Sequence, residues 1–280
     1  PAGKWGLLED WTPENASNKI LEGQWLTMKM ALANSVNTVS AYHMNQYGPN
    51  EVIRIARKFG LKGNIDPVPS ICLGTADASL YEMVGAYSAF VNKGTWIEPV
   101  YLLKIEDKFG NVIYEHRPSI REAMSEENAY KMVQLLSGVA EYGPRFKDPE
   151  TGKMKSTFGT GIRLRMNVAS RDYDNIADSI KIAGKTGTTQ NQSDGWFMGM
   201  TNDLVSGVWV GCEDRAAHFL TTDNGSGTNM ALPIWAYYMH DVWADEKLPY
   251  VGGDFDVPES LRHVNFDCTQ DDNPYQSGNA

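Results

Sequence analysis

Three strand-like runs stand close together at residues 179–189, 195–201 and 204–212, linked only by Gln190-Asn191-Gln192-Ser193-Asp194 and Asn202-Asp203. A parallel strand has to return through a crossover of about a dozen residues or more, so links this short force antiparallel neighbours. The chain is predicted to build a meander here. Because the segments upstream are mainly helical, the order of elements is helices first and sheet late, which describes an α+β fold rather than a doubly wound parallel sheet.

Thr27 is a suitable N-cap for the run LTMKMALAN, which breaks at Ser35-Val36-Asn37 before TVSAYHMNQYG resumes the helical pattern and stops at Gly48. A second helix is predicted over residues 51–59, where Val52, Ile55, Ala56 and Phe59 share a stripe and Gly60 supplies the stop. A third begins after Ser79 and keeps Leu80, Met83, Val84, Tyr87, Phe90 and Val91 at three/four spacing as far as Asn92-Lys93-Gly94. Residues 96–116 alternate as a hairpin around Lys108-Phe109-Gly110-Asn111, and residues 125–142 return to helix through Tyr130, Val133, Leu136 and Ala140. Residues 1–26 read as irregular and 143–178 as a long loop. A closing helix is expected over 229–243, with Pro233 tolerated in its first turn, followed by a loosely held polar tail at 244–280.

With 25 Lys and Arg against 35 Asp and Glu, the formal charge of −10 argues against a nucleic-acid or anionic-membrane surface, which needs clustered basic residues. The three cysteines, Cys72, Cys212 and Cys268, are far apart and form no metal-ligand spacing; Cys72 and Cys212 are expected to be small buried hydrophobes. The five histidines include no HExxH pair, so neither a metal nor a cofactor is implied. No apolar run approaches the length of a membrane-spanning helix, and the opening Pro1-Ala2-Gly3-Lys4-Trp5 resembles neither a signal peptide nor a translation start. A mature chain and a piece of a longer one both fit, and the missing initiator methionine leans towards the piece.

The stretch AGKTGTTQ, residues 183–190, offers Lys185 two unrelated chemistries. A phosphate-binding loop needs G-x-x-x-x-G-K-[ST], yet the position five before Gly184 is Ser179. Such a loop must also open a helix whose N-terminus receives the phosphates, whereas the flanking Ile180-Lys181-Ile182 reads as strand. Nucleotide binding is thereby excluded. The same residues contain Lys-Thr-Gly, and Ser35-Val36-Asn37 lies upstream between two helices, so two elements of the Ser-x-x-Lys, Ser-x-Asn, Lys-Thr-Gly constellation occur in order. The Gly159-Thr160-Gly161 turn is too short for a dinucleotide fingerprint and fits a loop near a cleft.

Beyond these triplets, TMKMALANSVN, PSICLGTADASLYEMVGAYSAF, GTGIRL, AGKTGTTQNQSDGWFMG, GVWVG and MALPIW together resemble the transpeptidase domain of class A, bifunctional penicillin-binding proteins. The resemblance implies an antiparallel sheet flanked by helices on both faces. It implies D,D-transpeptidation of peptidoglycan stem peptides ending in D-alanyl-D-alanine, through a serine acyl-enzyme that β-lactams also form. Carried over residue by residue, it makes Ser35 a proton relay, Asn37 a donor to the substrate amide, and Lys185 a positive potential beside Ser35. Thr186 and Thr188 would offer hydroxyls to the substrate carboxylate, Gly187 would keep the strand bare, and Thr189 would complete the substrate-binding stretch. Trp196 and Phe197 are read as core instead, because alternate residues of a meander strand must be buried.

The family's nucleophile is the serine of Ser-x-x-Lys, and none of the serines here has a lysine three positions on. Residues 1–243 are therefore read as a transpeptidase domain without its nucleophile-bearing start. An upstream glycosyltransferase domain, a membrane anchor and an extracytoplasmic location at the bacterial cell envelope are implied with it. Two alternatives stay open: a non-catalytic peptide-binding member of the fold, and a β-lactamase-like hydrolase.

Overall fold

The structure, a computed structural model, describes residues 2–16, 21–148, 150–166 and 176–266. Helices α1 (Met28–Ala33), α2 (Asn37–Tyr47), α3 (Pro49–Lys58) and α4 (Leu80–Val91) come first. Short strands β1 (Thr95–Ile97), β2 (Lys104–Glu106), β3 (Val112–Glu115) and β4 (Ile120–Glu122) precede α5 (Glu126–Ser137). Then follow β5 (Tyr142–Lys147), β6 (Met154–Phe158), the meander β7 (Ala183–Thr188), β8 (Gly195–Met200) and β9 (Val205–Val210), and finally α6 (Thr222–Gly225) and α7 (Gly227–Ala244).

Helix starts are set where the sequence carries hydroxyl caps. Thr27 Oγ1 accepts from Met30 N at 3.2 Å, Ser125 Oγ accepts from Asn128 N at 3.4 Å, and Ser79 with Glu82 forms a reciprocal capping box. The Lys62 N–H also reaches the Glu82 carboxylate and, with the Ser79 N–H of the capping box, holds it below its ordinary range.

The central sheet has the order β7-β8-β9, all antiparallel, with Lys185 opposite Met198 and Phe197 opposite Val208. Alternation divides its residues between two helical layers. Ala183 and Met200 pack with Val133 and Leu136 of α5, while Phe197 packs with Leu232, Trp235 and Ala236 of α7. Glycines let α7 come close: a Cβ on Gly199 would lie 2.3 Å from the Trp235 ring, and one on Gly227 would lie 2.3 Å from the Gly187 carbonyl oxygen. Helices thus cover both faces, and α1 in turn packs on α5.

Four expectations need correcting. Residues 143–178 are not simply a loop, because β5 and β6 pair as a hairpin with Arg145 opposite Ser156. Its turn is built by Asp148, whose carboxylate accepts from Glu150 N and Thr151 N and pairs with Lys155, chiefly the last of these holding it below the usual carboxylate range. Within its strands only Phe146 and Thr157 are buried, so no alternating apolar pattern announces it. Residues 167–175 of the expected loop lie outside the described residues.

The helix expected over 125–142 ends at Ser137 and passes into a single tighter turn at Gly138–Ala140. Cys212 is exposed and Cys72 only half-buried, while Cys268 lies outside the described residues. Of the tail expected to be loose at 244–280, the described residues as far as 266 are held, and 267–280 lie outside the described residues. Asp203 Oδ2 accepts from Val251 N and Gly252 N, and Phe255 is buried against Val133, Ala183 and Met200. The expected hairpin does form between β2 and β3, whereas β1 pairs separately with β4.

Candidate acyl-transfer cleft

Helix α1 ends in a Schellman motif, with Val36 N donating to Ala31 O at 2.9 Å and Ser35 N donating to Leu32 O at 3.1 Å. This motif places Ser35 at the left-handed position, φ +55°, where glycine is the usual residue. The side chain is consequently lifted out of the helical path. Because α1 packs on α5 and α5 packs on β7, the turn is carried to the same side of the sheet as Lys185.

There Lys185 Nζ donates to Ser35 Oγ at 2.9 Å and to Thr186 O at 2.8 Å, joining residues 150 positions apart. Lys185 is partly buried, and burial pushes its ammonium down from 10.5 to about 8. Among the described residues it has no carboxylate in ion-pair range. A cation without a counterion, hydrogen-bonded to a hydroxyl, is suited to receiving an anion and to exchanging a proton through that hydroxyl.

The remaining predicted residues divide into two groups. Thr186 is buried on the α7 side, its hydroxyl donating to Thr160 Oγ1 at 2.7 Å, while exposed Thr188 accepts from Gly227 N at the start of α7 at 3.0 Å. Gly187 keeps its strand position bare, since a Cβ there would lie 3.1 Å from Trp196 Cβ. Thr189 instead builds the following turn, accepting from Ser193 N at 3.0 Å and Asp194 N at 2.9 Å. Within the sheet β7 has β8 on one side and no strand on the other among the described residues, so an extended chain has an edge to join.

Asn37 opens α2 but neither it nor Ser35 caps that helix. The cap comes from Asn15, whose Oδ1 accepts from Thr38 N at 3.1 Å, and Asn37 Nδ2 donates to Glu14 O at 2.8 Å. Sequence reasoning missed Asn15, Glu14, Thr228 and the grip of Thr160 on the site. The one signal available was a threonine held between two glycines at 159–161. Phe197 is core as read and fully buried, but Trp196 is not: it is half-buried on the other face of the strand, its ring 6.3 Å from that of the exposed Trp209.

The left-handed conformation of Ser35 gives a discriminating variant. Ser35→Gly should leave stability unchanged or raise it by up to about 1 kcal/mol, because glycine suits that backbone, whereas Ser35→Ala should lower it. Thermal unfolding of the two variants checks the order; equal melting temperatures would contradict the strained turn.

Among known proteins, the sequence model of the family described as "Penicillin binding protein transpeptidase domain" matches residues 2–211. The chain is 31% identical over 258 residues to penicillin-binding protein 1A of Aquifex aeolicus (strain VF5), covering 92% of this chain and 30% of that protein. It is 29% identical over 238 residues to penicillin-binding protein 2D of Bacillus subtilis (strain 168), covering 85% of this chain and 31% of that one. It therefore spans about a third of the length of these curated relatives. The fold matches the crystal structure of penicillin-binding protein 1A from Haemophilus influenzae with a TM-score of 0.62 at 22% identity, over 82% of this chain and 36% of that one. It also matches PonA1 of Mycobacterium tuberculosis, solved in complex with penicillin V, with a TM-score of 0.57 at 22% identity over 85% of this chain and 64% of that one. With a family-wide sequence match over most of its length and a sheet that faces Ser35 with Lys185, the chain belongs to the penicillin-binding protein transpeptidase domain family.

Proposed function

We propose that the cleft between the Ser35 turn and β7 receives the D-alanyl-D-alanine end of a peptidoglycan stem peptide during D,D-transpeptidation. The observation that supports this reading is the 2.9 Å contact between Lys185 Nζ and Ser35 Oγ, a partly buried amine against a hydroxyl at the edge of the sheet. Lys185 draws in the terminal carboxylate, and Thr188, beside the start of α7, adds a hydroxyl and the positive end of that helix. Thr186 contributes from behind the strand by fixing its position. Ser35 passes a proton between nucleophile and leaving amine, Asn37, with one Nδ2 N–H given to Glu14 O, keeps its other N–H and its Oδ1 for the peptide, and Thr188 N–H helps to hold the oxyanion.

The reacting serine is not among these 280 residues, since none is followed three positions later by lysine. The reading assigns it, with its lysine, to sequence outside them, together with a glycosyltransferase domain and a membrane anchor. Among the described residues no helix is long and apolar enough to cross a membrane. The site of action is the outer side of the bacterial cytoplasmic membrane. β-Lactams, mimicking the acyl-D-alanine, are expected in the same cleft.

Mass spectrometry after exposure to a penicillin tests the assignment. The 280-residue chain alone should show no covalent adduct, and a longer polypeptide that adds a Ser-x-x-Lys segment should take up one penicillin per chain. Acylation of the shorter chain, or none of the longer one, would contradict it, the latter pointing to a peptide-binding relative without catalysis.

A further inference from the structure

Lys185 Nζ has two hydrogen-bond acceptors, and both belong to segments gripped by a single residue that the acyl-transfer scheme leaves without a role. Thr160 N donates to Ala33 O at 3.0 Å, two residues before Ser35, and Thr160 Oγ1 accepts from Thr186 Oγ1 at 2.7 Å. Its carbonyl accepts from Thr228 Oγ1 of α7 at 3.1 Å, so three elements converge on it. We infer that Thr160 is a positioning residue, which sets the separation of the Ser35 turn from β7 and so keeps Ser35 Oγ and Thr186 O together on the Lys185 ammonium.

The flanking glycines explain how one residue reaches so many partners. A Cβ on Gly159 would lie 2.0 Å from Gly138 O and 2.3 Å from Val139 O, and Gly161 N donates to Val139 O at 2.7 Å. Gly138 is itself pressed on α1, since a Cβ there would lie 2.9 Å from Ala33 Cβ. Backbone therefore stacks on backbone from α1 through residues 138–139 to 159–161. Thr160 closes that stack against β7 through its hydroxyl. On Thr160 itself this hydroxyl is the hydrogen-bonding group that mutation can remove without altering the main chain.

The inference rests on the acyl-transfer reading for its importance, but its geometry is testable without catalysis. The probe is the Lys185 amine, followed by NMR titration of the chain with isotope-labelled lysine. Thr160→Val frees Thr186 and loosens the turn, so water reaches the amine and its titration midpoint should rise by about one pH unit. Thr160→Ser, which retains the hydroxyl, should titrate like the wild type. Phe59→Leu, in a separate hydrophobic cluster with Ala86 and Trp96, should lose stability without moving the midpoint.

If Thr160→Val does not fold, Thr186→Val breaks the same hydroxyl pair from the other side and should give the same rise. A Lys185 midpoint unchanged in the folded valine variants, or shifted as much by Phe59→Leu, would overturn the positioning role. Neither result depends on whether the domain acylates, so failure here is distinguishable from failure of the penicillin experiment.

Discussion

Replacing Lys185 by methionine in a polypeptide that joins this domain to its Ser-x-x-Lys serine should slow acylation by about 10³-fold, the range for removing a positioned proton-transfer or electrostatic group. Two losses combine in that figure: the carboxylate loses its cation, and Ser35 Oγ loses the donor that orients it at 2.9 Å. The fold should survive, because methionine fills similar space and a partly buried charge is removed. A rate within about tenfold of wild type would remove Lys185 from the site.

The depressed titration of Lys185 gives the same prediction a pH signature. Between pH 8 and 10.5 the native amine has lost its proton while the unfolded one retains it. The unfolded state then binds more protons, so stability rises with pH across that window and is lowest, as far as this group is concerned, below pH 8. Lys185→Met should abolish that rise in urea titrations. Attraction for an anionic peptide runs the other way: the ammonium is intact below pH 8, and KM should increase as pH climbs through it.

The second large effect is on stability. Trp235 of α7 is fully buried, its ring edge-on to Phe197 at 5.1 Å and to Trp243 at 6.5 Å, and it lies directly over the bare Gly199 backbone. Trp235→Ala should cost about 4 kcal/mol, transfer and cavity terms together, a large part of the roughly 5–15 kcal/mol that holds a domain folded. Trp235 Nε1 has no hydrogen-bond partner among the described residues, so Trp235→Phe forfeits no polar contact with them and should lose well under half as much. Urea unfolding midpoints decide this; an alanine variant within about 1 kcal/mol of wild type would show that the sheet does not depend on α7.

What could be read from the sequence was whatever is written locally. Thr27 and Ser79 cap the helices predicted from them, the helix read from the apolar face of residues 125–142 does start at Ser125, and the short links around residues 190–194 and 202–203 pointed to the antiparallel order of β7, β8 and β9. Lys185 and Ser35 were legible through the family's triplets, and the structure does bring them together. The hairpin β5–β6 was not legible, because apolar Tyr142, Met154 and Phe158 lie at exposed positions and only Phe146 and Thr157 of its strands are buried, so apolar and polar residues do not alternate. The docking of residues 251–255 was hidden for a different reason. It depends on Asp203 carboxylate bonds to backbone N–H groups 48 and 49 positions away, which leave no periodic trace. Thr160 belongs to the same class, since its partners at residues 33, 186 and 228 become neighbours only after the sheet and helices assemble.

The cleft itself is tested most directly by amide chemical-shift mapping of the chain with an N-acyl-D-alanyl-D-alanine peptide, which requires no nucleophile. Perturbations should cluster at Ser35, Asn37 and Lys185 to Thr189, and Lys185→Met should erase them. A response confined to other parts of the protein, or one that persists in the Lys185 variant, would contradict the placement of the substrate between the Ser35 turn and β7.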